Sequence, residues 1–355
     1  MNFLRDEGDN IKYIDFRSDT VTLPTKNMYT AINNSLLGDD VYEDDPTTKD
    51  LENYACKLLG KEAALLVPTG TFGNQLAILT HTNRGDEVLV GEDTHIPTYE
   101  VGAAAVISAV TLRTIPIKNK LMDITSIKKY IRSNNIHFPK TGLISIENAH
   151  SLGFVSPENN MEAISIIGKK FNIPIHMDGA RFFNAAAALN IDYKSLASYS
   201  DSINICLSKG LCAPIGSLLL GNKDFINTAR KNRKLMGGGM RQTGIIAGAG
   251  LVGLKEMTKR IYEDHENAKY LSKKLEEING ITIDNDNLDI NMVFFNLPES
   301  IIPNFVLAER LFNTGIKINS SNDGNYRFVT HNDIKIKDID YLIDEMKKII
   351  SNSLS

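Results

Sequence analysis

D-S-I-N-I-C-L-S-K-G, residues 201–210, is the stretch from which the fold of this chain is read. Ile203, Ile205 and Leu207 alternate with smaller or polar residues, and Ser208-Lys209-Gly210 ends the run. The pattern predicts a short β-strand with Lys209 as its last side chain. An ammonium at the mouth of a buried strand is costly to desolvate unless it reaches water or does chemistry. The design repeats upstream. Apolar runs at 63–67, 86–90, 143–146 and 173–177 read as strands. Polar residues follow in turn: Thr69, Gly70 and Thr71; His95; His150; Asp178 with Arg181. Helical stretches lie at 72–80, at 157–170 and in an alanine-rich run through Leu189. Such alternation predicts an α/β fold with a mainly parallel sheet covered by helices, its ligands lying beyond the carboxyl ends of the strands.

A chain of 355 residues has room for one large or two ordinary domains. Residues 1–27 read as an N-terminal arm, 28–251 as a large domain and 252–355 as a smaller C-terminal domain. The last boundary follows a shift in composition near Lys255, inside a helical tract at 245–279. Beyond it are expected strands at 281–283 and 292–295, a helix at 305–314, R-F-V-T-H at 327–331 and a closing helix at 338–350 with Asp338 as N-cap. Between the main strands, 106–117 reads as a strand pair and 118–140 as a surface helix with its loops. Downstream, 216–221 is a strand, 223–236 a basic helix and 237–244 a flexible loop carrying Arg241. The carboxylate-rich run 38–46 reads as a solvated loop whose Asp45-Pro46 starts a helix.

The formal charge of −4 and pI near 6.0 offer no basic face for nucleic acid or anionic lipid. The first residues are charged where a secretion signal would be basic and then apolar. No apolar run reaches the ~18 residues of a membrane span. Three cysteines without a C-x-x-C pair suit a reducing compartment. A soluble cytoplasmic protein is expected, with no nucleic-acid or membrane partner.

The strand-end residues suit one cofactor. Pyridoxal phosphate needs a lysine for a Schiff base, a carboxylate to keep its pyridine nitrogen protonated, and a helix N-terminus for its phosphate. Lys209, Asp178 and Gly70-Thr71 supply these types. A histidine after a short strand, such as His95, can lie over a flat ring or do acid–base work. A substrate carboxylate is best gripped by an arginine fork. Arg181 and Arg327 are the candidates, with Ser18 as a further donor.

I-D-F-R-S-D-T-V-T, G-D-D-V-Y-E-D-D-P-T, P-T-G-T, I-E-N-A-H, H-M-D-G-A-R-F-F-N-A, I-C-L-S-K-G, G-G-G-M-R-Q-T-G and R-F-V-T-H run in order from Ile14 to His331. In these stretches the chain resembles the low-specificity L-threonine aldolases, pyridoxal-phosphate lyases of the aspartate-aminotransferase fold. The resemblance implies a three-layer, transferase-like large domain with a mostly parallel sheet and a smaller α+β C-terminal domain. It makes Lys209 the Schiff-base lysine and Asp178 the partner of the pyridine nitrogen. Gly70, Thr71 and Arg241 become phosphate contacts, Arg241 reaching across from a second subunit, and Arg181 borders both cofactor and substrate. His95 is similar to the histidine stacked on the ring and His150 to the one near the substrate's β-hydroxyl. Ser18, Arg181 and Arg327 resemble the carboxylate grip, and Tyr42 borders a neighbouring subunit's site. The implied reaction is retro-aldol cleavage of L-threonine or L-allo-threonine to glycine and acetaldehyde by a homodimer or homotetramer. His95, directly or through a water, is favoured as base and His150 as orienting group, with swapped roles left open.

Two other classes have sequence features to answer. Gly248-Ala249-Gly250-Leu251-Val252-Gly253 fits a dinucleotide-binding pattern, but no strand precedes it and no βαβ unit follows. A nicotinamide dehydrogenase is therefore disfavoured. A pyridoxal lyase that eliminates at Cβ stays open, although the histidine pair suits a β-hydroxyl better. The seven histidines show no zinc-ligand spacing, and no metal is expected.

Overall fold

A computed structural model describes residues 13–354, so the first twelve residues of the expected arm lie outside the described residues. Contacts divide the chain into two compact units. One is Thr22–Tyr262; the other joins the described residues up to Val21 to those from Glu263 on. The boundary expected at 251/252 falls inside the helix Gly244–Glu256.

The large unit is built on a seven-stranded sheet. Its strands are β1 (Ala63–Val67), β2 (Glu87–Gly91), β3 (Thr111–Ile115), β4 (Thr141–Glu147), β5 (Ile175–Gly179), β6 (Ser202–Cys206) and β7 (Ser217–Gly221). Their spatial order is β1-β7-β6-β5-β4-β2-β3, parallel except for β7, which runs antiparallel to both neighbours. Successive side chains of a strand point to opposite faces, so a fully buried strand needs cover on both. In β1, Leu65 and Val67 pack with Leu76 and Ala77 of the helix Gly70–His81 and with Phe225 and Ala229 of the helix Lys223–Leu235. Leu66, between them, faces the other way, where Gly216 lies against Leu66, Leu207 and Ile246. Helices therefore cover both faces, the three-layer α/β arrangement expected.

The smaller unit is α+β. Thr282–Ile283, Met292–Asn296 and Asn325–Val329 form an antiparallel sheet, and Ile14–Asp15 pairs with Ile316–Lys317 in parallel. Phe16, Val293, Phe328, Leu307, Leu342 and Met346 share its core.

Several local readings need correction. The 106–117 segment is not a strand pair: a π-helical turn covers Ala104–Ser108, β3 follows, and Ile117–Lys118 pairs with Leu121–Met122. The tract at 245–279 is broken by a 3-10 turn, Met257–Arg260. Asp338 lies within the helix Ile336–Leu354 and accepts from the Lys335 N–H instead of capping from outside. Asp45 does cap its helix, Pro46–Leu59, accepting from the Thr48 N–H.

The glycine pattern at 248–253 is a packing device. A Cβ on Gly248 would lie 2.5 Å from Ser35 Oγ and 3.0 Å from the Ala31 carbonyl oxygen, so the glycine lets Lys26–Asn33 press close. No dinucleotide site is needed to explain it.

Candidate active site

The site starts from one row of residues across the sheet. Glu147 of β4 is in register with Asp178 of β5, and Asp178 with Asn204 of β6. Glu147 and Asp178 are thus two buried carboxylates side by side at strand ends. Burial first, and then the Asp178 charge, push Glu147 up to about 7. Glu147 accepts hydrogen bonds from the His95 N–H (2.6 Å) and the Ser151 N–H (2.7 Å), tying together the chain ends that follow β2 and β4.

Above this row sits the helix Gly70–His81, and its Asn74 organises the charges. Asn74 Nδ2 donates to Asp178 Oδ2 at 2.7 Å and to Glu100 Oε1 at 2.8 Å. The Oδ1 of Asn74 accepts from Asn204 Nδ2 at 3.0 Å. Asp178, 2% exposed, takes a further bond from the Ala180 N–H at 3.1 Å. Gly73 makes this approach possible: a Cβ there would lie 2.2 Å from Asn204 Oδ1.

His95 opens the short helix His95–Tyr99 after β2, and its Nδ1 is 2.8 Å from Glu100 Oε1. The Glu100 bond is the largest influence on its proton affinity. With the Asp178 and Glu100 charges it holds His95 above its ordinary value, against burial and the Lys209 charge. Asp178 and Lys209 thus both lie within electrostatic reach of His95. Lys209 itself is not the last residue of its strand, as the alternation suggests. β6 ends at Cys206, and the half-buried lysine stands on the turn that follows. That turn is anchored by Thr22 Oγ1 and the Cys212 N–H, which both donate to the Lys209 carbonyl oxygen at 2.9 Å.

The helix after β1 begins at Gly70, two residues earlier than its apolar pattern suggests, with Thr69 accepting from the Phe72 N–H at 3.1 Å. The N–H groups of its first turn face outward with the positive helix end, as an anion seat requires. Asn204 Nδ2 donates to the Gly70 carbonyl at 2.8 Å, and a Cβ on Gly70 would come within 2.8 Å of Cys206 Sγ. The helix start is thereby held against β6.

His150 is 1% exposed and stacked on Phe154 with ring centroids 4.2 Å apart. Its Nδ1 accepts from the Leu152 N–H at 3.1 Å, so its proton sits on Nε2, which is buried with no hydrogen-bond partner among the described residues. Burial lowers it to about 4, which keeps it neutral. Arg181 is buried at the start of the helix Phe182–Leu189, three residues beyond Asp178. Ser18 and Arg327 belong to the smaller unit, where Arg327 Nη2 donates to the Arg17 carbonyl at 3.4 Å. Arg241 is exposed and paired with Asp39 at 3.0 Å. Tyr42 is 77% exposed.

Sequence reasoning missed Asn74, Gln75 and Glu100. The signal available was weak: polar residues one turn into a helix and five residues beyond a histidine. The acidic run at 38–46 is also less solvated than expected. Asp40 is buried against Arg233 at 2.5 Å, and Asp45 Oδ2 accepts from the N–H groups of Gly38 and Gly244, each at 3.0 Å.

Comparison with known proteins gives this geometry a family. The family described as "Beta-eliminating lyase" matches residues 15–298. The chain belongs to the β-eliminating lyase family. It is 41% identical to the low specificity L-threonine aldolase of Escherichia coli K12 over 322 residues, covering 90% of this chain and 94% of that protein. It is 38% identical to low-specificity L-threonine aldolase 1 of Arabidopsis thaliana, covering 94% and 95%. The solved threonine aldolase of Leishmania major shares the fold, with a TM-score of 0.81 at 20% identity over 95% of this chain and 99% of that one. Enzymes of the β-eliminating lyase family are pyridoxal-phosphate-dependent. The donor set fits that cofactor: a buried carboxylate at a strand end, a histidine within reach of both that carboxylate and a lysine, and a helix N-terminus brought close by glycines. Among the described residues no helix is long and apolar enough to cross a membrane.

Proposed function

We propose that this chain is a low-specificity L-threonine aldolase, cleaving L-threonine, L-allo-threonine and other L-β-hydroxy-α-amino acids to glycine and an aldehyde. The observation that carries the reading is His95 standing within reach of both the Lys209 charge and the buried strand-end carboxylate Asp178. Similarity to the Escherichia coli aldolase along nearly the whole chain supports it.

Pyridoxal phosphate, when bound, supplies an electron sink for the bond broken at the substrate's Cα. Lys209 would hold its aldehyde carbon, Asp178 its ring nitrogen, and the Gly70–Thr71 helix start its phosphate. Arg181, Ser18 and Arg327 bind the substrate carboxylate. That grip, with the contact at the β-hydroxyl, would fix which bond at Cα is presented for cleavage. His95 takes the β-hydroxyl proton, directly or through one water. His150 donates through its Nε2–H to the β-oxygen. Its Nδ1 is occupied by the Leu152 N–H and its affinity for a second proton is low, so it suits orienting better than proton abstraction.

The finer organisation belongs to the same reading: a cytoplasmic enzyme of threonine catabolism, a homodimer or homotetramer in which Arg241 and Tyr42 reach a neighbouring subunit's site. Their exposure and the free thiols of Cys56, Cys206 and Cys212 are consistent with it. The discriminating experiment is a product assay. Glycine and acetaldehyde in equal amounts from L-threonine, with no pyruvate from L-serine, is the expected result. Pyruvate from serine without acetaldehyde from threonine would replace the reading with that of an eliminating lyase.

A further inference from the structure

The polar cluster around Asn74 has a direction. His176, fully buried, is within 3.2 Å of Asn74 Oδ1 through Nε2 and 2.9 Å of Ser202 Oγ through Nδ1. An amide oxygen can only accept, so the His176 proton is on Nε2 and its Nδ1 accepts from the Ser202 hydroxyl. Ser202 Oγ is also 2.8 Å from His81 Nε2, which must then be its donor. Burial lowers His176 to about 3, which agrees with a single proton on this ring. Every donor in the chain points the same way, and Asn74 ends it with both amide protons aimed at carboxylates, one on Asp178 and one on Glu100.

Glu100 is surrounded accordingly. Its Oε1 takes Asn74 Nδ2 and faces His95 Nδ1, while Oε2 takes Gln75 Nε2 at 2.5 Å. Gln75 is itself buried and leaves its own Oε1 without a partner among the described residues, a desolvation penalty the fold accepts while Nε2 holds Glu100. A group ringed by donors is a carboxylate acting only as acceptor, so the His95 proton that faces it is on Nδ1. This leaves Nε2 as the ring atom free for exchange.

We propose that Glu100 is the positioning residue of this active site, orienting the His95 imidazole through Nδ1 and fixing Nε2 as the atom that exchanges the substrate's proton. Asn74 ties this arrangement to Asp178, so the acid that would face the cofactor's nitrogen and the acid that orients the base are held by one amide. The inference rests on the proposed function for the identity of that proton, but not for the His95–Glu100 geometry. Besides Glu100, the groups facing His95 are Tyr99 on its own helix, with ring centroids 5.6 Å apart, Glu147 of β4 at its backbone N–H, Asp178 of β5 and Lys209 of the turn after β6.

The test is the pH midpoint of His95 C2-hydrogen exchange, read by peptide mass spectrometry on the purified full-length enzyme, with exposed His137 as internal reference. Glu100→Gln keeps the size and an acceptor but removes the charge, and should lower the His95 midpoint by about one pH unit or more. In the same variant kcat for threonine cleavage should fall roughly tenfold or more, with KM changed less. A His95 midpoint equal to wild type in folded Glu100→Gln would overturn the proposal. If that variant does not fold, Gln75→Met, which removes one donor to Glu100 without touching His95, should still move the midpoint. An unmoved midpoint there would equally overturn the proposal. A shifted midpoint with kcat intact would keep the positioning role and overturn instead the assignment of His95 as base.

Discussion

At the scale of single residues the account turns on proton affinities set by neighbours. His95 keeps its proton to higher pH than a free imidazole because the Glu100 contact outweighs burial. Cleavage needs that proton released, so activity should rise with pH as His95 loses it. His95→Asn should lower kcat roughly 10²- to 10⁴-fold and abolish that rising limb, as a pH–rate profile would read. An unchanged limb would mean that another group titrates. The placement of Asp178, Gly70, Thr71 and His95 at or just beyond strand ends was legible in sequence because each follows an apolar run. Glu100, Asn74 and Gln75 were not. Their meaning depends on which helix face meets which strand end, and a polar residue inside a helix gives no such information. Lys209 shows the opposite limit: its nearness to a strand end was readable, but its place on a turn and not in the strand was not.

At the scale of elements, two close approaches set the positions of the site's walls. The Gly70–His81 helix can lie on β6 only because Gly73 has no side chain where Asn204 stands. Gly73→Ala should destabilise the large unit by about 1–3 kcal/mol, since neither the helix backbone nor Asn204, held through Nδ2 by two hydrogen bonds, can yield freely. Thermal melting followed by circular dichroism reads this, and an unchanged midpoint would show that the contact is slack. Asp45 joins three segments by capping Pro46–Leu59 and accepting from Gly38 and Gly244. Asp45→Ala should fall at the upper end of the ~0.5–2 kcal/mol expected for a lost cap, because three N–H groups lose their acceptor. Denaturant melts would measure it, and a loss confined to a few tenths would mean that the loop re-pairs. The sequence marked Asp45-Pro46 as a helix start but not its role as a junction, which needs partners far along the chain. The segment at 106–117 differs from its sequence reading for a related reason: its apolar residues are shared between a π-helical turn and a strand, and periodicity over so few residues does not separate these from two strands.

At the scale of the whole molecule, neutral histidines held out of water contribute to the response to acid. Burial lowers His176 to about 3 and His81, His150 and His265 to about 4, whereas unfolded histidines bind protons near 6.5. Depressed values of this kind favour the fold above the unfolded value, and the contribution is lost as pH falls toward the folded one. Stability should therefore drop between about pH 6.5 and pH 4, with each histidine adding a slope of up to about 1.4 kcal/mol per pH unit. Urea titrations across that range would show a nearly constant midpoint if the histidines were instead accessible. The α/β class was legible because strand and helix patterns alternate along most of the chain. The split after Tyr262 was less so, since the helical tract continues through it and composition changes earlier than contacts do. The central claim, that Lys209 is the amine that holds pyridoxal phosphate, is tested most directly by borohydride reduction of the purified enzyme followed by peptide mapping. The account predicts loss of the yellow absorbance and a cofactor-labelled peptide carrying Lys209; a label on another lysine, or no label from a coloured protein, would contradict it.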